Sequence, residues 1–443
     1  MSSTTPWCTT TTTTTTSTIS PSSSSSSSSS LLHPFPHNSR AASHRRRRRR
    51  FPLLRCCALR RDDGGEVRDR LLPRLLLHDS LDAAGVDTRH ARAACEGFQR
   101  QIGRLTAIDS TMIIAVSKGA DLGRATLHVV EEDDSLVSHS SVPLPVDAFV
   151  DRLDDLSMGF CSSAYMPPSG VAPAVFLGNL ERYLYVHKGF RRINVMSDAR
   201  ALYLHSVLTC RSGSVVMLSL IYSEMLKMLR IYGFLDFDAE IYFPFDLNSL
   251  PRGYEKQKSK ISDEPHIMTS KLLLVKILKD LKYAFWPFQY DKSSSLFLRA
   301  VRTLNQTVGK SYSSSDNSVS SLEIASAKAA QHRLERGVWT NVRFGDMRRA
   351  LAACERLILL HDDYRELRDY AVLLYHCGYY EDCLQCLTLY HASMEKESQS
   401  DPEDVEGEAV KNLVARLNLI LADEGWSKQR TSTSYWNKIY EPW

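Results

Sequence analysis

The chain has 443 residues, of which 43% are hydrophobic and 24% charged, and its formal net charge is +4. This length allows two or three domains, and the composition is that of a globular protein rather than of a fibre or a wholly disordered chain. The best membrane candidate, Val215 to Leu235, is interrupted by Glu224, Lys227 and Arg230, whereas a span needs about 18 largely apolar residues. The composition therefore argues against an integral membrane protein.

The first 61 residues differ from the rest of the chain. They contain Ser/Thr runs at 9–17 and 22–30, ten arginines and no carboxylate. Such a segment is too polar to form a core, and this composition predicts a disordered organelle transit peptide. The serine and threonine excess favours a chloroplast, with a stromal protein cleaved near Cys57. The alternatives are a mitochondrion, or a nuclear signal in Arg45 to Arg50 on a nuclear or cytosolic protein.

The remainder of the chain is mildly acidic. Residues 62–443 carry 45 basic and 51 acidic side chains, so they do not predict a nucleic-acid surface. Seven of the ten cysteines lie in this part. An odd number of widely spaced cysteines predicts small buried thiols rather than a disulfide framework.

Apolar spacing predicts a mostly helical first region, 85–310, with some strand. The period of two from Phe237 to Phe245 predicts a half-buried strand, and residues 251–266 have the polarity of a surface loop. The aromatic segment Tyr283 to Tyr290 is interpreted as a second strand, with a ligand platform as the alternative. The predicted helices are Asp87 to Leu105, Asp147 to Leu156, Ala174 to Tyr185, Tyr203 to Leu208, Val215 to Arg230 and Leu272 to Leu281.

A serine-rich segment, 311–324, is the predicted linker to a second region, 325–425, followed by a tail, 426–443. This region repeats: a glycine followed five and six positions later by a small residue and leucine occurs at Gly345 and, 33 residues on, at Gly378. That period is typical of tetratricopeptide-type helical hairpins. The array is too short for a free solenoid, so we expect it to pack against the first region or close with its own last helix. The helices are expected at 346–360, 363–377, 379–393 and 408–423.

Several stretches resemble the SirB-type branch of the transglutaminase-like superfamily, which joins a papain-like core to a tetratricopeptide-like tail. The resemblance covers roughly residues 105–395 and implies a degenerate transglutaminase-like core. The matching stretches are Leu180 to Leu184, Gly189 to Asn194, Tyr203 to Leu208, Arg211 to Gly213, Leu218 to Glu224, Ala350 to Arg356 and Arg365 to Asp369.

The resemblance also predicts where chemistry is missing. An active core of this type needs a thiolate at a helix N-terminus, a histidine to take its proton and a carboxylate to orient the histidine. The corresponding positions hold Val215, Asp246 and Trp286, none of which can do the required work. The branch usually has proline at the first position, so loss of the thiol is typical of it. We expect the start of the helix after Gly213 to be packed, with Trp286 suited to filling the cleft.

Other candidate sites have weaker support. Cys210, with His205 and the upstream Asp198, is the one alternative thiol site. Cys383 and Cys386, near His376, Cys377 and His391, suggest zinc or redox chemistry, but a packing role suits Cys383 better. The glycines Gly119 and Gly123 lack the rest of a phosphate loop, so no cofactor is predicted.

The sequence thus predicts a predominantly helical α+β protein with no catalytic or metal-binding residues. The favoured function is a non-catalytic interaction or assembly factor with plastid protein partners. The alternative is a thiol hydrolase or acyl-transfer enzyme using Cys210, and a regulatory binder of a small metabolite also remains open.

Overall fold

The computed structural model describes residues 73–107, 121–138, 142–195, 198–244, 249–256, 270–288, 294–307, 340–341, 345–360, 363–397 and 405–430. The chain divides into two units, 1–68 and 69–443, and every described residue belongs to the second. The predicted leader, Gly119, Asp246 and the serine-rich segment 311–324 lie outside the described residues.

Helices dominate the described chain, which confirms the expected predominantly helical α+β class. A π-helical turn, Arg182–His187, continues the helix Pro173–Glu181, and a 3-10 turn, Ala199–Leu202, precedes the helix Leu204–Cys210. No described helix has both the length and the apolarity that crossing a membrane requires. The helices are α1 Leu77–Ala83, α2 Arg89–Ala107, α3 Leu122–Ser138, α4 Val146–Cys161, α5 Pro173–Glu181, α6 Leu204–Cys210, α7 Val215–Ile231, α8 Ser270–Phe285, α9 Leu296–Thr307, α10 Met347–Leu360, α11 Arg365–His376, α12 Tyr380–Glu397 and α13 Val405–Arg430.

Strands are short and occur in pairs within the described residues. β1 and β2 are parallel, with Arg191 opposite Ser212, while β3 and β4 are antiparallel, with Glu240 opposite Tyr254; β5 and β6 also pair antiparallel. The strands are β1 Arg191–Arg192, β2 Ser212–Gly213, β3 Ala239–Tyr242, β4 Arg252–Glu255, β5 Thr340–Asn341 and β6 Gly345–Asp346.

Two secondary-structure predictions were wrong in part. Residues 252–255 of the predicted loop form β4, because the buried main chain of β3 needs hydrogen-bonding partners and polar residues supply them at an edge. The predicted strand from Tyr283 does not form over its first three residues, since α8 runs to Phe285. Buried Leu274, Leu278, Leu281 and Phe285 follow one another at helical spacing, which extends the helix into the aromatic run.

Two clusters of buried side chains make up the core. The first core cluster surrounds α7, whose side chains are buried on nearly every side, as expected of a helix that is apolar all round. The second core cluster joins α1 and α9 to the helices α10 to α13. Helix α10 belongs to both, with Leu357 in the first and Leu351 in the second. The C-terminal helices therefore pack directly on the first region.

The repeated small residues occupy equivalent places in the C-terminal helices. Ala350 in α10 and Cys383 in α12 are both fully buried. Gly378, between α11 and α12, has a φ of +82°, a left-handed conformation that favours glycine in this turn. Helices occupy all four expected ranges, and the last one extends to Arg430, into the predicted tail. The array therefore packs against the first region and also closes with its own last helix, because α13 packs on α12.

Candidate functional site

The start of α7 is the place where the resemblance predicts the thiol of an active enzyme. Ser214 caps this helix: its hydroxyl accepts from the Met217 amide at 3.2 Å, and its own amide donates to the Ala201 carbonyl at 3.0 Å. Val215 follows and is half-buried, and Val216 is buried. A serine cap satisfies amides that an anion at the helix N-terminus would otherwise use. The helix start is therefore capped by its own chain and carries no titratable side chain at Val215.

The turn into α7 is held by close packing. Arg211 ends α6 in the left-handed conformation with a φ of 55°, and β2 then pairs with β1. A Cβ on Gly213 would lie 2.7 Å from Cγ1 of Val207, so this position admits glycine alone without a shift of α6. The backbone turn at Arg211 and the close packing at Gly213 thus explain the Arg-Ser-Gly sequence before α7.

Of the three expected catalytic positions, the described residues include Val215 and Trp286, and these two belong to different parts of the core. Trp286 is fully buried in the second core cluster, next to Phe288, whereas α7 lies in the first. The expectation that Trp286 fills a cleft against the start of α7 is not what the packing shows. Its neighbour Phe285 belongs to the first core cluster. Asp246 lies outside the described residues.

Cys210 and His205 do not form a catalytic pair. They stand five residues apart on α6, a separation that turns their side chains about 140° from one another around the helix axis. His205 Nε2 lies 3.0 Å from the Ser206 hydroxyl, its ring is edge-on to Phe149, and burial lowers its pKa. The Asp198 carboxylate accepts from the Arg200 backbone amide and side chain instead of orienting a histidine. Cys210 is exposed.

The cysteines of α12 are core residues. Cys383 and Cys386 are buried, and burial raises the pKa of Cys386 to about 12 and that of Cys383 well above its ordinary value. His376 Nε2 faces the Ala300 carbonyl at 3.1 Å. Within the described chain, a different set of His, Cys and carboxylate side chains lies close enough together to hold a metal ion.

That group consists of His78 in α1, Cys95 in α2 and Glu132 in α3, whose ligand atoms all lie within 4.8 Å of one another. The sequence interpretation missed it, because its members come from three helices and no motif spacing connects them. Glu132 belongs to a run of acidic residues on a helix face that is otherwise buried. This acidic run is the sequence feature that could have pointed to the group.

A buried ionic network surrounds this group. Arg356 of α10 lies between Glu132, at 2.9 Å, and Asp133, at 2.7 Å. The Tyr203 hydroxyl donates to the other Asp133 oxygen at 2.8 Å. Glu355 accepts from the Leu77 amide. Arg356 carries its charge into the core because two carboxylates neutralise it there.

Three exposed arginines and the half-buried Lys188 lie around the turn that leads into α7. Arg191 donates to the Ser212 hydroxyl at 2.8 Å, Arg211 to the Lys188 carbonyl at 3.0 Å, and Arg152 to the Thr209 hydroxyl at 3.2 Å. The Lys188 ammonium lies over the Tyr183 ring. None of the four forms an ion pair with a carboxylate of the described chain. We call Arg152, Lys188, Arg191 and Arg211 the cationic patch.

Comparison with protein families identifies residues 147–232 with the family model described as the transglutaminase-like superfamily. The chain therefore contains a transglutaminase-like superfamily domain, formed here by α4 to α7 with β1 and β2. The matched segment includes Val215 and ends before β3. Searches of curated proteins and of solved structures gave no match.

Proposed function

We propose that this chain is a non-catalytic protein-interaction or assembly factor of the chloroplast stroma. The observation that carries the proposal is the start of α7, which is capped by Ser214 and has Val215 where the resemblance assigns the thiol of an active enzyme. A helix dipole activates a thiol only if a thiol is present. The domain then serves as a scaffold for contacts with other proteins.

The cationic patch supplies the contact surface in this proposal. Its four cations are held in place by neutral groups, so their charge is available to a partner. Arginine binds carboxylates with two parallel hydrogen bonds, and such pairs gain strength when the interface excludes water. We therefore propose an acidic segment of a plastid protein as the partner.

The C-terminal helices supply a second element of the proposal. Helices α10 to α13 pack in succession and carry the 33-residue repeat, and we interpret them as tetratricopeptide-like hairpins of the SirB-type branch. The acid-free, arginine-rich leader supports the chloroplast address. A fluorescent fusion of residues 1–80 should enter chloroplasts, and a cytosolic, nuclear or mitochondrial signal would contradict the address.

The interaction is tested with charge reversal in the full chain. Arg191→Glu with Arg211→Glu removes half of the cationic patch, and Arg100→Glu with Lys411→Glu reverses two exposed cations elsewhere as a matched control. Each protein is used for affinity purification from stroma with and without nuclease treatment, with quantitative mass spectrometry at low and high salt.

We expect proteins with acidic segments to co-purify with the wild type and the control, and to fall at least about tenfold with the patch variant and at high salt. Recovery of no protein above background with the wild type would contradict the interaction role. Loss of all co-purified proteins on nuclease treatment would indicate a nucleic-acid partner instead.

A further inference from the structure

We propose that His78, Cys95 and Glu132 bind a zinc ion that joins α1, α2 and α3. The three side chains lie on three different helices and converge to within 4.8 Å, ligand atom to ligand atom. This inference is independent of the transglutaminase-like domain, because the three residues precede residues 147–232.

The pair formed by His78 and Glu132 needs little adjustment to hold a metal. His78 Nε2 lies 2.9 Å from Glu132 Oε1. Two nitrogen or oxygen ligands of one tetrahedral zinc, each about 2.0 Å from the metal, stand about 3.3 Å apart. A shift of a few tenths of an ångström therefore makes room for the ion between His78 and Glu132, and the Cys95 sulfur, within 4.8 Å of them, has to approach by up to about 1.3 Å to form a bond of about 2.3 Å.

Neighbouring groups already orient two of the ligands. Arg356 Nε donates to the second oxygen of Glu132 at 3.0 Å, which leaves the first oxygen directed at His78. The Gln99 amide contacts the Cys95 sulfur at 3.8 Å. Supporting contacts of this kind fix ligand orientation in zinc sites and strengthen binding.

The local charge favours a cation. Glu132 and Asp133 are buried carboxylates that face the buried guanidinium of Arg356, and Glu355 is a third buried carboxylate, close to Glu132 and His78. Arg349 pairs with Asp346 and also acts on Asp133, whereas Glu132 has Arg356 and the His78 imidazole as its partners. A divalent cation bound in place of the proton shared by His78 and Glu132 neutralises Glu132 and compensates the thiolate that Cys95 becomes when its proton passes to solvent.

The donor set selects the metal. Thiolate and imidazole favour zinc over calcium or magnesium, which take oxygen ligands. Three protein ligands leave a fourth position for water, and His78 and Cys95 are only partly buried, so solvent reaches them. The ion would secure α1 against α2 and α3, a stabilising role.

The test titrates Co²⁺ and then Zn²⁺ into the full chain. Co²⁺ bound to a thiolate gives a near-ultraviolet charge-transfer band, and Zn²⁺ should remove the band by displacement. The variants Cys95→Ser and His78→Gln are compared with Cys161→Ser and Cys210→Ser, which change thiols distant in sequence from the group. Circular dichroism and metal-free unfolding midpoints establish that each variant is folded.

We expect one Co²⁺ per chain in the wild type and in both controls, with Zn²⁺ raising the unfolding midpoint. Cys95→Ser should abolish the band, and His78→Gln should weaken binding at least about tenfold. Absence of a band in the wild type, or a band that survives Cys95→Ser, would overturn the proposal and leave the group as part of the ionic network. If Cys95→Ser does not fold, the Co²⁺ affinity of His78→Gln tests the proposal, and an affinity equal to that of the wild type would overturn it.

Discussion

Arg356 has a side chain that is 1% exposed, and its charge is neutralised by Glu132 and Asp133. We expect Arg356→Met to lower the free energy of unfolding by about 3–5 kcal/mol, because two carboxylates would stay buried without their partner. Urea denaturation followed by circular dichroism measures the loss.

The control for this prediction is Arg124→Met. Arg124 pairs with the exposed Asp147, and such surface pairs contribute at most about 1 kcal/mol. Equal losses for Arg356→Met and Arg124→Met would show that the buried network does not hold α10 against α3.

Glu224 provides a test by pH. Burial in α7, with Asp121 nearby, raises the pKa of Glu224 to about 7 although Lys227 pairs with it. Its folded pKa therefore exceeds the unfolded value of 4.5, so the folded state holds the proton more tightly between these values. Stability from this group is full below about pH 4.5 and falls as the pH rises to about 7, by at most about 3 kcal/mol.

We expect Glu224→Gln to abolish this fall. The free energy of unfolding of the variant, relative to wild type, should rise from pH 5 to pH 7 in chemical denaturation. Ser223→Ala, on the same helix turn, removes no titratable group and should leave the difference constant. A constant difference for Glu224→Gln would mean that the carboxylate ionises freely in the folded protein.

At the scale of single elements, the turn between α6 and α7 carries the next prediction. Gly213→Ala places a methyl group 2.7 Å from Val207 and should cost about 1–3 kcal/mol. Gly178→Ala, inside α5 with no atom within 4 Å of the added carbon, should be neutral or stabilise by up to about 1 kcal/mol. Thermal unfolding of both proteins measures the contrast, and similar effects would contradict the packing described for the turn.

Local periodicity explains which elements the sequence predicts. Helices α2, α7 and α8 carry apolar residues at helical spacing, and each lies close to its predicted range. The aromatic run after Tyr283 has no distinguishing period, so the sequence does not separate the end of α8 from a strand. The polar β4 is recognisable only once β3 is seen to need a partner.

Of the candidate site, the sequence predicts only the residue at a single position along the chain and not which distant residues contact one another. Val215 could be identified because its neighbours along the chain carry the resemblance. Trp286 could not be placed, because sequence order does not reveal which of two core clusters a side chain joins. The contact of Arg356 with Glu132 spans more than two hundred residues, and no local pattern encodes it.

At the scale of the whole molecule, α10 joins both core clusters, which predicts one cooperative unfolding transition for residues 69–443. Leu220→Ala lies in the first cluster and Leu413→Ala in the second, and each should cost about 2–5 kcal/mol. We expect both to lower the same midpoint by circular dichroism and by tryptophan fluorescence. A second transition that responds to only one variant would show that the two clusters unfold independently.

We propose that the transglutaminase-like domain acts through contacts with other proteins rather than through a thiol. The rate of iodoacetamide labelling at Cys210 near neutral pH, in the wild type and in His205→Ala, tests it most directly. Equal rates are expected, because a separation of five residues on α6 turns the two side chains about 140° from one another around the helix axis. Rapid, selective labelling of Cys210 that falls about tenfold or more in His205→Ala would contradict it, since only a histidine acting on the thiol produces that dependence.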